Sequence, residues 1–536
     1  MSKLTSQLPA IASILQASGT PGLSIGVFEH GRTIFTHHFS TDANSDTPND
    51  DTVYYIASLS KLLAICAVAK LVTDGILDWD TSVRTYLPAF QQREDDIGMK
   101  TTLRDLASNR TGLANPTFFW GQQNGEAVID KLNLVKTATV IESQKPFRSS
   151  FIYSNWNFIH LHAVVEQVTG KSFGEVMQDS ILSPLGLTRT TFELPASNNF
   201  AAPYAVRDDG GHSRIPTSTY VSETGLSAVG GGKSTLSDMM SIYLALLSAY
   251  AHQKSNQVDV TPGSPFTHLR TIFKPHIVVD QSNLEASQTY CLGIYRTELP
   301  GNLSIASLNG LLLRKKMPLF GLDLSGTEVY HHTGNLPGYF HSMYLLPGTH
   351  SGVVCLSNAT PLMDPSDFSA QLLLGALLGS RTVPAYASLA LSARFNQLGW
   401  YTQLARYLQS NRTDKPPTLP LTSYCGAYAN RANTLVLEVT AVVQGVHVSV
   451  RGRPSTTYRL LPWNGDTFYW EANRDREVCE KAMWPIPSPQ WHLITFCLGK
   501  RGVETLKWQV DAMAGGPEAF RREDEASRTK LSSSHS

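Results

Sequence analysis

Ser58 and Lys61, in the string Ser58-Leu59-Ser60-Lys61, are the residues whose types and spacing point most directly to chemistry. A serine hydroxyl is a weak nucleophile until a neighbouring base takes its proton. At i and i+3 on a helix the two side chains project from one face and come within reach of each other. The run that follows, LLAICAVAKLV, is apolar almost all round. An amine at its start either snorkels to the surface beside an N-capping serine or is desolvated with the helix. The apolar surroundings favour desolvation. Burial lowers a lysine's pKa, the positive end of the helix pushes the same way, and a neutral amine beside a hydroxyl is a general base. The Ser58 backbone N–H is then available to a developing oxyanion. A second copy of the pattern, Ser527 to Lys530, lies in a polar tail and reads as chance.

Tyr153-Ser154-Asn155 is the second candidate. A phenol can carry a proton between nucleophile and leaving group, and an amide can orient an acyl substrate. The plain alternative is a loop tyrosine before a polar pair that caps a helix. Tyr428-Ala429-Asn430 repeats the pattern in a β-rich region and reads as structural. The third candidate is His332-Thr333-Gly334, followed by Asn335. A glycine at a strand edge lets a substrate lie against backbone N–H groups, and Asn335 is placed to give a second oxyanion donor. Its plain alternative is a strand-end histidine beside a turn.

Ser24, in Gly22-Leu23-Ser24-Ile25-Gly26, matches the GxSxG nucleophile elbow. That elbow needs a strand, a sharp turn and a helix, whereas Ser24 lies inside a hairpin strand and is expected to be structural. His37-His38 and His331-His332 read as strand residues. No HExxH string or His/Cys spacing of a zinc site occurs, so neither metal nor cofactor is expected.

These candidates need a scaffold. Among 536 residues, 42% are hydrophobic and 16% charged, enough for a large buried domain and a smaller second one. Lys plus Arg equals Asp plus Glu at 44 each, with no basic stripe, so no nucleic-acid partner is expected. The first residues lack a signal-peptide pattern and no stretch has the length of a membrane span. With six scattered cysteines and no CxxC pair, a cytoplasmic, membrane-free protein is expected.

GLSIGVFEHGRTIFTHHF reads as a β-hairpin, and helices are expected near 158–169, 235–249, 366–378 and 388–410. TEVYHHTG, YFHSMYLL and SGVVCLSNA read as successive antiparallel strands. DKPPTLPLT at 414–422 reads as a proline-rich linker. Beyond it, short β-type runs without a helix predict an all-β sandwich or small barrel. The expected division is 1–412 catalytic, 413–422 linker, 423–522 all-β, and 523–536 a disordered tail.

Taken together, SLSK, YSN and HTG, in that order, resemble the three motifs of the serine β-lactamase and penicillin-binding-protein superfamily. PGLSIGV, DGILDWDTSVRTYLP, LRDLASNRTGL, ILSPLGLTRTTF and GGGKSTLSDMM are similar to segments of its class C β-lactamase, esterase and transesterase branch. The resemblance spans residues 20–380. More weakly, the last section resembles a lipocalin-like module. It implies an α+β fold, an antiparallel sheet flanked by helices with a helical lobe, followed by an all-β lipocalin-like domain. It also implies an acyl-enzyme in which Ser58 attacks, Lys61 accepts the proton and Tyr153 relays it. Asn155 and the segment His332, Thr333, Gly334 and Asn335 would hold the substrate.

His332 stands where β-lactamases carry the lysine of their KTG motif. A histidine is mostly neutral near pH 7 and holds a carboxylate less firmly. The expected function is a hydrolase or acyltransferase for a small ester, thioester or amide, with a place in specialised metabolism. A silent binding protein and a true β-lactamase or D-amino-peptide hydrolase are the alternatives. Water and another acceptor fit equally well. Phe118, Phe119 and Trp120 are candidates for an apolar acyl pocket as well as for plain core. The oligomeric state is left open.

Overall fold

The computed structural model describes residues 2–41, 47–116, 121–279, 288–510 and 516–523. Phe118, Phe119, Trp120 and the tail 524–536 fall outside them. The first hairpin forms as alternation dictates, Gly22–Glu29 against Arg32–Ser40. It joins an eight-stranded sheet in the order Arg32–Ser40, Gly22–Glu29, Ser351–Ser357, Tyr339–Leu346, Glu328–Leu336, Tyr295–Glu298, Gln288–Tyr290, Ile277–Val278. Every pairing is antiparallel. The central strand Tyr339–Leu346 is buried along its whole length, as expected of a sheet covered on both faces.

One face packs on helices Leu8–Ser18, Pro365–Leu378 and Tyr386–Ser410 through Ile14, Leu15, Phe368, Leu373 and their neighbours. The opposite face carries a second core that contains the Ser60–Thr73 and Leu236–Asn256 helices and reaches into the helical lobe. The Ser60–Thr73 helix buries eleven of its fourteen residues, which explains why its sequence shows no polar stripe.

The C-terminal section forms a closed eight-stranded barrel. Two of its strands, Gly426–Ala429 and Glu518–Arg522, are additional to the β runs read from sequence, and their pairing closes the ring. The expectation of no helix is corrected at Arg476–Glu480, a single wide helical turn. There the fully buried Arg474 anchors to the carbonyls of Val206 and Pro361 in the catalytic body, and tertiary anchoring overrides the local β pattern. Residues of the proline-rich stretch bond to the barrel: Thr418 N–H and Oγ1 each donate to Asp466 at 2.9 Å. Further ties between barrel and body run from Arg453 to the Ala127 carbonyl and between Thr137 and Thr434. Among the described residues no helix is long and apolar enough to cross a membrane.

Candidate functional site

Ser58 sits in the 3-10 turn Ala57–Leu59, which runs directly into the Ser60–Thr73 helix. The residue before it, Ala57, has φ +51°, a left-handed conformation that a non-glycine adopts only when its surroundings force it. Those surroundings are visible. Ile56 N–H donates to Gly232 O at 2.9 Å, Gly232 N–H donates to Ser60 Oγ at 2.9 Å, and Gly230 lies against Ala57. A side chain at Gly232 would collide with Ser60 and Ile56. The glycine run 230–232 therefore permits the close approach that fixes the turn.

The turn presents Ser58, which is half-buried, while Lys61 behind it is wholly buried. Lys61 Nζ lies 2.9 Å from Ser58 Oγ and 2.6 Å from the Val229 carbonyl. The rings of Tyr153 and Phe158 wall the amine off, each centroid 5.1 Å away. Burial holds its pKa well below the ordinary lysine value. A neutral amine has two hydrogens and a lone pair. Giving one hydrogen to Val229 leaves the lone pair free for the Ser58 hydroxyl.

Tyr153 reaches the same oxygen from a distant part of the chain, its hydroxyl 3.0 Å from Ser58 Oγ. Burial raises its pKa, only partly offset by the Ser58 contact, so the phenol keeps its proton at neutral pH. The loop around Asn109, itself at φ +55°, positions it. Asn109 Oδ1 accepts from Ser154 N–H at 3.1 Å and from Asn157 Nδ2 at 2.8 Å, and Ile152 N–H donates to the Asn109 carbonyl. Asn155 opens the helix Asn155–Thr169, with its N–H bonded to Asn115 and its Oδ1 buried without a partner.

The strand Glu328–Leu336 passes the turn so closely that a methyl on Gly334 would lie 2.4 Å from Ile56 O. His341, opposite Gly334, clamps the contact through Nε2 at 2.7 Å from Tyr55 O. The neighbouring strand pairs only as far as His331, so residues 332–336 line a sheet edge beyond that pairing. His332 Nδ1 lies 2.6 Å from the Thr333 carbonyl, which can only accept, and this fixes the proton on Nδ1. Nε2 then accepts from Tyr290 at 3.4 Å. Burial, and secondarily the nearby Lys61, push the His332 pKa down to about 3, so the ring is neutral. Its ring lies 5.9 Å from that of Tyr153. The Thr333 hydroxyl turns aside to the Ala306 carbonyl at 2.9 Å, and Asn335 Oδ1 is buried and unpartnered.

Ser24 is fully buried inside its strand, with its hydroxyl near His38 Nδ1 and Tyr54. His38 also reaches Asp50, a Ser–His–Asp chain in outline, but burial gives a substrate no approach to Ser24. The Tyr428 hydroxyl donates to the Tyr424 carbonyl within the barrel. Sequence reading assigned no function to Asn109, Val229 or the glycine run. For Asn109 and the glycine run the only signal was the resemblance of LRDLASNRTGL and GGGKSTLSDMM to family segments, and Val229 lies just before the second of these. Lys233, also unassigned, is buried against the Tyr220 carbonyl and held by desolvation to about 7.

Comparison with known proteins bears on the family and the fold. The profile of the β-lactamase family matches residues 9–377, and that of a domain of unknown function, DUF3471, matches 410–522. Unguisins hydrolase ungD of Aspergillus violaceofuscus is 22% identical over 448 residues, 76% of this chain and 71% of that protein. The octameric penicillin-binding protein homologue from Pyrococcus abyssi superposes with a TM-score of 0.55 at 18% identity, over 97% of this chain and 99% of that one. A class C β-lactamase from Rhodobacter sphaeroides gives 0.53 at 20% identity, over 70% of this chain and 100% of its own.

Proposed function

The chain belongs to the β-lactamase family, and from that premise we propose that it is a serine-dependent acyl-enzyme hydrolase or acyltransferase acting on a small ester, thioester or amide. One observation carries the reading: Ser58 Oγ lies 2.9 Å from a fully buried lysine amine and 3.0 Å from a phenol. In this reading Ser58 Oγ attacks the substrate carbonyl as its proton passes to Lys61 Nζ. The oxyanion is held by the backbone N–H groups of Ser58 and Asn335. Collapse breaks the bond to the leaving group, which takes the proton from Lys61 through the Tyr153 hydroxyl. An acyl-Ser58 ester remains. Water or another acceptor then gives up a proton along the same path, attacks the ester and regenerates the serine. Tyr153 acts as a relay rather than as a phenolate base, because burial keeps it protonated.

Neutral His332 supports the choice against a true β-lactamase, since it offers no charge to a substrate carboxylate. The hydrolase named for unguisins supports hydrolysis. The test is intact-mass analysis after a fluorophosphonate probe. Wild type gains one adduct, which maps to Ser58, and Ser58→Ala gains none. Absence of an adduct on wild type, with p-nitrophenyl esters of several chain lengths untouched, would establish a silent binding protein instead.

A further inference from the structure

Asp364 and Asp367 are wholly buried. Among the described residues neither has an ionic partner, and burial raises both carboxyls above their ordinary value. Acidic side chains kept in such a place are costly unless donors surround them. Asp364 caps the helix Pro365–Leu378 by accepting from the Ser366 and Asp367 N–H groups, an ordinary role for an aspartate. Capping does not account for Asp367, whose side chain serves other segments. Its Oδ1 accepts from Tyr344 and Gln371 at 2.9 and 2.7 Å. Its Oδ2 accepts from Ser304 Oγ at 2.7 Å and from Asn309 Nδ2 at 3.0 Å.

What the pair holds is the segment 304–309. Beside the two bonds to Asp367, Ser307 Oγ donates to Asp364 Oδ2 at 3.2 Å. Asn309 also closes a reciprocal pair with the Asp364 backbone, donating to its carbonyl at 2.8 Å and accepting from its N–H at 2.9 Å. Within this segment stands Ala306, whose carbonyl accepts from the Thr333 hydroxyl at 2.9 Å.

A second path leads from the same carboxylates to the same residue. Asp364 Oδ1 accepts from Ser366 Oγ at 2.7 Å, Ser366 Oγ lies 3.1 Å from Ser342 Oγ, and Ser342 pairs with Thr333 across the ladder. On its other side the strand Glu328–Leu336 is paired only as far as His331. Thr333 is therefore held by its bond to Ala306 and by its pairing with Ser342, and both holds trace back to the aspartates. The next residue, Gly334, is the one pressed against Ile56 of the Ser58 turn.

We propose that Asp364 and Asp367 are positioning residues for acylation: by fixing Ala306 and Ser342 they keep the strand edge at 333–335 in place against the Ser58 turn. This rests on the acyl-enzyme reading, in which the Asn335 N–H serves the oxyanion. The test is the pre-steady-state burst with a p-nitrophenyl ester, measured per mole of Ser58 labelled to completion by fluorophosphonate. Asp367→Asn keeps only one accepting oxygen for four donors, and Ser307→Ala removes a single tie while leaving both aspartates. Acylation slows about tenfold in the first and about threefold in the second, less than a full 1 Å displacement would bring, with KM little changed. Thr333→Val keeps the shape and removes the hydroxyl. Combined with Asp367→Asn, its loss falls short of the product of the two single losses by about threefold or more, as coupled neighbours require and a general loss of stability does not. Should Asp367→Asn yield no labelled protein, the same cycle with Ser307→Ala decides. Multiplying losses, or burst rates within twofold of wild type in the aspartate and serine variants, would overturn the assignment. Failure of wild type to label at Ser58 would instead remove the acyl-enzyme reading itself.

Discussion

Gly334→Ala is the smallest change that tests how the strand positions the site. A methyl at this position lies 2.4 Å from Ile56 O, 3.1 Å from Leu59 Cγ and 3.3 Å from Leu59 N. Ordinary contact begins near 3.4 Å, so strand and turn must separate by about 1 Å. Neither side yields easily. Ile56 is bonded through its N–H to Gly232 and through its carbonyl to Leu59 N–H, and His341 ties the strand to Tyr55. If the strand retreats, the Asn335 N–H leaves its proposed oxyanion position; if the turn retreats, the strained Ala57 relaxes and Ser58 moves from Lys61. Misplacement by about 1 Å costs on the order of 100-fold in rate, about 2.7 kcal/mol of transition-state stabilisation. The assay is the pre-steady-state burst with a p-nitrophenyl ester, followed by intact mass to count acyl-Ser58, with thermal melting as a check on folding. The acylation rate is expected to fall about 100-fold while the protein stays folded. A folded variant that acylates within threefold of wild type would refute the claim that this contact sets the site's geometry.

Three further outcomes follow from buried ionisable groups, beside the Ser58 experiment above. Lys61→Ala is expected to slow acylation by about two orders of magnitude or more, and near-wild-type turnover would remove Lys61 from the chemistry. The depressed amine also has a signature in stability. The unfolded chain binds a proton on Lys61 up to its ordinary value of 10.5 while the folded protein does not, so stability is lost as pH falls through that window. Lys61→Met should flatten the pH dependence of Tm between neutral and alkaline pH, and an unchanged slope would count against a neutral Lys61. His160, His331 and His332, each held by burial at about 3 against an ordinary 6.5, are neutral when folded and charge on unfolding, so stability falls as pH drops below 6.5. Asp364, raised by burial to about 7, has the opposite sign and offsets one of them. His276 and His341, held by burial at about 4, act in the same direction as the three histidines, so unfolding takes up protons on balance and stability is lost as pH falls, measurable by urea melts between pH 6.5 and 4.5, where a flat profile would contradict it.

The parts of this molecule legible in sequence are those with a local cause. The buried helix after Ser58 announces itself because a helix covered on all sides carries no polar stripe, and the hairpin at 22–40 because alternation survives one turn. The barrel shows as runs with period two, but the strands that close it, Gly426–Ala429 and Glu518–Arg522, are short and gain their order from each other across nearly the whole domain. The turn Arg476–Glu480 was illegible for the same reason, being held by what Arg474 reaches in the catalytic body. In the site, residue type suggested Ser58, Lys61 and Tyr153. What makes their geometry possible, the left-handed Ala57 and the glycines at 230–232 that press on it, depends on contacts separated by more than 170 residues and leaves no local pattern.

The neutrality of the site follows from how its groups constrain one another. A protonated Lys61 would sit with only the Ser58 oxygen and one carbonyl for partners and no anion, a costly state in an apolar helix. A protonated His332 would face the Lys61 charge and would lose the lone pair that accepts from Tyr290. Each group is held neutral chiefly by its own burial, and Tyr153, whose ring lies beside both, keeps its proton because burial disfavours a phenolate. In such a resting state no fixed charge is stabilised. In the proposed mechanism the first full charges to form are those of the oxyanion and the lysine ammonium, created together as Ser58 attacks the carbonyl and its proton passes to Lys61. Fixed dipoles then stabilise the transition state more than the ground state, which is the condition for raising kcat rather than merely tightening binding.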